Sequence, residues 1–148
     1  MMRLALLAVL LMVSPALAAP IKVSADSFVI EESSQSATFS GNVIVTSEGL
    51  ELTANKVLVR YGEGGTDDIR SFDASGSVRI KTQGQTASGS HAVYDPSTEI
   101  LTMTGGVTVE NEAGTVSGPQ LTVDMRTKVT TFKSSGKGPR VTGVFTPQ

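Results

Sequence analysis

An internal repeat of 29 residues restricts the fold of this chain more than any other feature of its sequence. Gly76 and Gly105 open matching segments and stand 29 residues apart, whereas Gly41 and Gly76 stand 35 apart. The longer spacing is the same period with one insertion, which we assign to the Gly-rich loop 62–67 because loop tips tolerate extra residues. Repeats of this size bury a core by stacking, so the sequence predicts similar units around one continuous interior. A second set of small residues follows thirteen positions after each opening glycine, at Ala54, Gly89 and Gly118.

Within each unit the residues alternate between apolar and polar, which is typical of β-strands that bury one face. When the units are aligned, apolar positions coincide; Val43, Val78 and Val107, for example, share one column. The charged residues Arg79 and Lys81 fall in the columns between the apolar ones. The sequence therefore predicts an all-β protein, an open repeat-built stack of short antiparallel strands with an apolar row inward and a polar row outward.

The N-terminal segment has the layout of a secretory signal peptide. Arg3 gives the start a positive charge, an apolar run follows over residues 4–13, and Ala16 and Ala18 are the small residues before a cleavage point. The apolar run is shorter than the roughly 20 residues that a membrane-spanning helix needs. We therefore expect residues 1–18 to be removed and residues 19–148 to form one exported domain. An uncleaved N-terminal anchor is the alternative.

The residue types present argue against an enzyme. The chain has no Cys and a single His, and no Gly-rich phosphate loop opens a helix. His91 occupies an outward column, so we interpret it as a surface residue rather than a metal ligand or a base; Asp67 and Asp68 are interpreted as a solvated loop. No catalytic residue, metal site or cofactor is predicted. The net charge of −2 and the predicted export argue against a nucleic-acid partner, although residues 125–148 carry basic and no acidic side chains.

Three segments give the repeats a family likeness. Residues 37–46 (ATFSGNVIVT), 52–59 (LTANKVLV) and 92–107 (AVYDPSTEILTMTGGV) resemble the OstA-like family, and residues 140–147 are similar in style to the ends of its members. The individual motifs are short, so the resemblance depends on their order and spacing. It extends over the chain from about Ile21 onward.

The resemblance implies a V-shaped β-jellyroll in the periplasm that carries lipopolysaccharide for outer-membrane assembly. The expected partners are lipopolysaccharide itself, an inner-membrane export complex, an outer-membrane translocon and further copies of the chain stacked head to tail. In this family the lipid chains lie among the inward apolar side chains. By position, the candidates for a lipid-binding interior are Phe28, Ile30, Phe39, Val43, Val45, Val57, Val59, Phe72, Val78, Ile80, Leu101, Met103, Val107 and Val109.

Two other interpretations stay open at the level of sequence. From the pattern alone, the apolar columns describe the ordinary core of a β-fold as well as they describe a lipid groove. The chain is then a structural β-repeat module without lipid. The other alternative is a membrane-anchored inner-membrane protein of the same fold, which requires the N-terminal segment to be retained.

Overall fold

The computed structural model describes residues 21–147, and the predicted signal peptide, residues 1–18, lies outside this described part. The described residues form ten strands and one turn of 3-10 helix, Gly65–Asp67. Across residues 21–147, no helix has the length and hydropathy to span a bilayer. The strands are β1 (Lys22–Ser24), β2 (Ser27–Glu31), β3 (Ser36–Ser47), β4 (Leu50–Tyr61), β5 (Ile69–Thr82), β6 (Gln85–Asp95), β7 (Ile100–Asn111), β8 (Gly114–Asp124), β9 (Val129–Lys133) and β10 (Thr142–Phe145).

All ten strands belong to one antiparallel sheet. Neighbours follow chain order from β3 to β8, each joined to the next as a hairpin. At one end, β1 and β2 both pair with β3; at the other, β9 and β10 both pair with β8. Each terminal edge is therefore a long strand split into two short ones, and the sheet has two different edges.

Each of β3, β5 and β7 turns sharply near its middle. The pairing of β3 with β4 shifts register between Ser40 and Val43, and equivalent shifts occur one and two repeats later. At these bulges Gly41, Gly76 and Gly105 have φ values of +82°, +81° and +83°, and the residue after each also has a positive φ. Two successive residues in this conformation add an unpaired residue and bend the strand. The predicted period of the opening glycines is thus a period of bends.

The bends divide the sheet into two walls. The β2–β9 wall consists of β2, β9 and the halves of β3–β8 paired between them, and the β1–β10 wall consists of β1, β10 and the other halves. Phe72 of the first wall and Ile80 of the second line the same cavity. The walls therefore face each other across the interior, and the sheet is folded over along the line of bulges.

The predicted apolar columns are the cross-strand rows of this sheet. In the β2–β9 wall, Phe72 pairs with Tyr94, Tyr94 with Leu101, and Leu101 with Val123. Strand residues alternate sides, so one aligned row puts every member on the same face. The predicted sorting of apolar residues inward and charged residues outward is confirmed by this register.

The core lies where the two walls meet, beside the bulges. We call this region the seam; its largest side chains are completely buried. Small residues at the second repeat position allow this close approach: a Cβ on Gly89 would lie 3.1 Å from the Thr104 carbonyl oxygen and 3.4 Å from the Met103 Cε. The fully buried seam residues are Val43, Val57, Val78, Met103, Val107 and Leu121. Of these, Val43, Val78 and Val107 border no cavity within residues 21–147, while the other three also border the open space between the walls.

The insertion falls where the spacing predicts it. β6–β7 and β8–β9 are joined by four-residue turns that end at Glu99 and Lys128, both with positive φ. The corresponding β4–β5 connection is longer and contains the 3-10 turn. Arg70 holds this loop by donating from Nε to Asp68 Oδ1 over 2.9 Å. This hydrogen bond, ahead of other influences, lowers the pKa of Asp68, whose carboxylate is therefore an ion-pair partner on the surface.

Candidate functional site

Two adjoining cavities lie between the walls, with volumes of about 260 Å³ and 800 Å³. We call them the first and second cavity. The first is lined from β3 to β7, with Leu52 and Phe72 on opposite sides. The second extends towards β8 and β9, with Val109 and Val123 on opposite sides. Ile80, Leu101 and Met125 line both cavities, which therefore form one groove along the sheet.

The groove walls are built from two cross-strand rows. On the β1–β10 wall, Leu52 pairs with Ile80, Ile80 with Ala87, and Ala87 with Val109. The row Phe72, Tyr94, Leu101 and Val123 faces it from the other wall. Both rows lie one inward position further from the bulges than the seam does. The walls have separated at this distance, so side chains of the same apolar type leave space between them.

Half of the predicted interior residues line these cavities. The first cavity is lined by Val45, Val57, Phe72, Ile80 and Leu101, and the second by Ile80, Leu101, Met103 and Val109. Four more, Val43, Val59, Val78 and Val107, are buried in the packed core, and Phe39 is partly buried against it. The interior prediction thus covers both groove wall and solid core, while contact with lipid stays a prediction for every member.

Phe28 and Ile30 have a different position. They lie on the edge strand β2, outside both cavities, and are 52% and 55% exposed. Phe28 stacks on Phe39 with ring centroids 4.5 Å apart. Their column is inward in register, as Phe28 pairs with Phe39 and Ile30 with Ala37, but no further strand of the described chain covers them. Phe28 and Ile30 are therefore edge residues in the described part of the chain.

Several lining residues were outside the predicted set. Leu52, Tyr94, Leu121 and Val123 belong to the predicted columns and could have been added by extending each row across every strand. Leu50, the first residue of β4, could have been found in the same way, because it lies two positions before Leu52. Ile21 and Met125 lie outside the strands, where alternation gives no signal. Met125 has one sequence signal, because it is an apolar residue in a turn that otherwise reads Arg126, Thr127, Lys128.

The groove surface is almost free of charge. Glu48 and Lys128 stand at the rim of the second cavity, and no polar or charged side chain within residues 21–147 is fully buried. Burial in the first cavity, followed by the negative charges of Glu99 and Asp95, raises the pKa of Tyr94. The Tyr94 phenol is therefore neutral at physiological pH. A surface of this kind is complementary to apolar chains rather than to charged ligands.

The polar residues singled out in the sequence lie on the outer faces. His91 is half-exposed, and its Nε2 is 2.5 Å from Asp73 Oδ1, so it forms a surface pair with a neighbouring strand. Within the described chain, no group of three or more His, Cys, Asp or Glu residues is placed to hold a metal ion. The interpretation of His91 as a surface residue is confirmed by its position.

Comparison with known proteins agrees with this architecture. A family model described as "LptA/(LptD N-terminal domain) LPS transport protein" matches residues 22–129. The lipopolysaccharide export system protein LptA of Escherichia coli K12 is 28% identical over 134 residues, which cover 86% of this chain and 71% of that protein. The LptA of Shigella flexneri gives the same values.

A solved structure shows the same fold. It is the crystal structure of LptH from Pseudomonas aeruginosa, described as the LptA-homologous periplasmic component of the conserved lipopolysaccharide transport device. The TM-score is 0.75 at 20% identity, with 86% of this chain and 96% of LptH covered. This similarity confirms the predicted β-jellyroll, and the family match confirms a transport protein rather than an enzyme. Because the family model covers most of its length, this chain belongs to the LptA/LptD N-terminal domain family of lipopolysaccharide transport proteins.

Proposed function

We propose that this protein is a periplasmic carrier that holds the acyl chains of lipopolysaccharide in the groove between its walls. It receives the lipid from an inner-membrane export complex and passes it towards an outer-membrane translocon. The observation that carries the proposal is the continuity of the apolar groove across both cavities through Ile80, Leu101 and Met125. A point-like pocket would hold one short ligand, whereas a groove along the sheet accommodates long chains.

The energetics of lipid transfer require such a lining. Withdrawing an acyl chain from a membrane costs about 0.8 kcal/mol for each CH₂ group that enters water. The groove offsets this cost because its inner rows are apolar from Leu52 to Val109 on one wall and from Phe72 to Val123 on the other. The phosphorylated sugars of the lipid stay in water at the mouth, where the ionic side chains of Glu48 and Lys128 lie.

Head-to-tail stacking is supported by the two edges. On the β2 edge, Phe28, Val29 and Ile30 are each more than half exposed. At the opposite edge of the sheet, Val129 of β9 and Val144 and Phe145 of β10 are 56%, 65% and 64% exposed. Unpaired edge strands present backbone donors and acceptors to another strand, and apolar side chains add area to the contact. Joining unlike edges extends one groove into the next.

Site-specific photocrosslinking tests the groove. We expect a photoreactive residue at Ile80 or Leu52 to give lipopolysaccharide adducts at least about tenfold more often than one at the adjacent outward position, Lys81 or Glu51. The two residues of each pair are adjacent on one strand and face opposite sides of the sheet, so the comparison isolates the effect of the face. Equal yields on both faces contradict the groove and favour a structural β-repeat with a dry core.

The edge contact has its own test. We expect Phe28→Asp to weaken concentration-dependent self-association about tenfold or more, measured by light scattering, because a carboxylate must be desolvated in the joint. Ile44→Asp is the control, since Ile44 is 41% exposed but lies within β3 rather than on an edge strand. Equal effects of both substitutions argue against edge-to-edge stacking.

N-terminal sequencing of the exported protein separates the carrier from the anchored alternative, because an anchor retains residues 4–13.

A further inference from the structure

The two cavities of the groove meet at a common boundary. Three residues line both cavities: Ile80 of the β1–β10 wall, Leu101 of the β2–β9 wall, and Met125 at the open side of the groove, which we call the mouth. Ile80 and Leu101 are strand residues and are 5% and 7% exposed, so their positions are set by the sheet and by close packing. Met125 is 37% exposed and lies in the β8–β9 turn. The three residues at the boundary therefore differ in their freedom to move.

The backbone that carries Met125 is tied at both ends of the residue. The Met125 N–H donates to the Glu99 carbonyl over 2.9 Å. Asp124 Oδ1 accepts from the N–H groups of Arg126 at 3.0 Å and Thr127 at 3.1 Å. The start of the side chain is therefore held at the mouth. An unbranched thioether with three rotatable bonds can still change its path from this fixed origin.

The repeat shows that this side chain is not required by the turn. The equivalent residue one period earlier is Pro96, in a turn of the same length, and Pro96 contributes to neither cavity of the described structure. The β6–β7 turn keeps the aspartate part of this scheme without Met, since Asp95 Oδ1 accepts from the Ser97 N–H over 2.9 Å, whereas Pro96 has no N–H to match that of Met125. The equivalent turn therefore forms without Met at this position, so the turn itself does not require Met125.

We propose that Met125 is the movable partition between the two cavities and controls the passage of acyl chains from one to the other. This inference depends on the proposed lipid-carrying function. One rotamer narrows the groove between Ile80 and Leu101, and another leaves both cavities connected beneath the mouth. An apolar, polarisable side chain suits the position because it contacts the lipid in either arrangement without exposing a polar group to it.

The test compares how the two cavities fill. A photoreactive residue replaces Leu52, which lines the first cavity, or Val123, which lines the second, in the full-length protein loaded with lipopolysaccharide. We expect Met125→Phe to change the ratio of adducts at these two positions at least about fivefold, because a rigid ring fixes the partition. Met125→Ala should bring the two yields within about twofold of each other. Met125→Leu, which keeps a flexible apolar side chain, should stay near the original ratio.

Arg126→Ala is the matched control. Arg126 is the next residue in the turn and pairs with Glu99 at 3.8 Å, but it lines neither cavity of the described chain. Its replacement should leave the ratio unchanged, and a melting temperature for each variant shows that the fold is kept. If both positions crosslink in every variant at the original ratio, the partition is wrong while the carrier function stands. If neither position crosslinks in the unaltered chain, both the proposed carrier function and the proposed partition are wrong.

Discussion

The seam and the mouth of the groove contain the same types of side chain in the same alternating pattern, yet one is solid and the other is open. Val78 and Ile80 are neighbours on the inward face of β5. Both are buried, at 1% and 5% exposure, but Val78 borders no cavity of the described structure and Ile80 lines both. The difference is their distance from the bulge at Gly76. Close to the bend the walls touch, and further away they separate. Packing against another segment of the protein and lining an open groove are therefore two outcomes of one sequence pattern.

The largest effect is expected in the seam. Met103→Ala should lower the free energy of unfolding by about 2–5 kcal/mol, because Met103 is completely buried in the seam, where it also borders the second cavity, and its loss leaves unfilled space. Urea denaturation followed by circular dichroism measures this. A loss below about 1 kcal/mol would mean that the seam is as loosely packed as the mouth, and the distinction between the two regions would disappear.

The bend that separates the two regions is tested at Gly76. A Cβ there would lie 2.6 Å from the Asn55 side-chain amide, and φ is +81°. Gly49 has a φ of +75° with open space around the same position. Gly49→Ala should therefore cost about 1–2 kcal/mol from backbone strain alone. Gly76→Ala should cost about 1–3 kcal/mol more because of crowding, and equal losses of stability in the two variants would show that the bend tolerates a side chain.

At the mouth, stability and lipid binding should separate. Leu52 is half-buried and lines the first cavity, so Leu52→Asp should cost only about 1–2 kcal/mol of folding free energy, since the carboxylate can reach water. The same substitution should reduce lipopolysaccharide adducts at Leu101 at least about fivefold, because the acyl chain would have to pack against a charge. Glu51→Leu is the control on the outer face. Unchanged adduct yields would move the lipid away from this part of the mouth.

The smallest effect is expected from Tyr94. Its pKa is raised above the ordinary value of 10.0 by burial in the groove and then by nearby carboxylates. The folded state therefore disfavours the ionised phenol, and stability that is complete below pH 10 should be lost as the pH rises through the raised pKa. Urea denaturation between pH 8 and 11 should show a shallower decline in Tyr94→Phe. An identical decline in both proteins would mean that the mouth is as wet as the outer surface at this position.

The sequence predicted the structure correctly in the strands, where residues of the same type recur at equivalent positions of the repeat. The column that joins Phe72, Leu101 and their neighbours became a cross-strand row, and the insertion was placed in the connection that contains Gly65–Asp67. Alternation can be read for a strand because every second residue faces the same way. It has no meaning in a turn, so Met125 could not be recognised as a groove residue from periodicity.

The division of the inward columns into core and groove could not be predicted either. Val43 and Val45 have identical side chains two positions apart, but only Val45 lines a cavity of the described structure. Phe28 was expected in the interior with Phe39, and it lies at an uncovered edge because its row ends there. The type of residue determines neither outcome. Each outcome depends on whether another part of the protein lies opposite the side chain.

By itself, the sequence determined the all-β class, the 29-residue period, the inward and outward rows and the position of the insertion. These follow from local chemistry: side chains alternate along a strand, and glycine permits the conformation that a bulge requires. Only the tertiary structure decided which rows close into the seam, which open into a groove, and where Met125 stands. Those properties depend on the separation of two walls, a distance set by the bend of every strand together and encoded in no single residue.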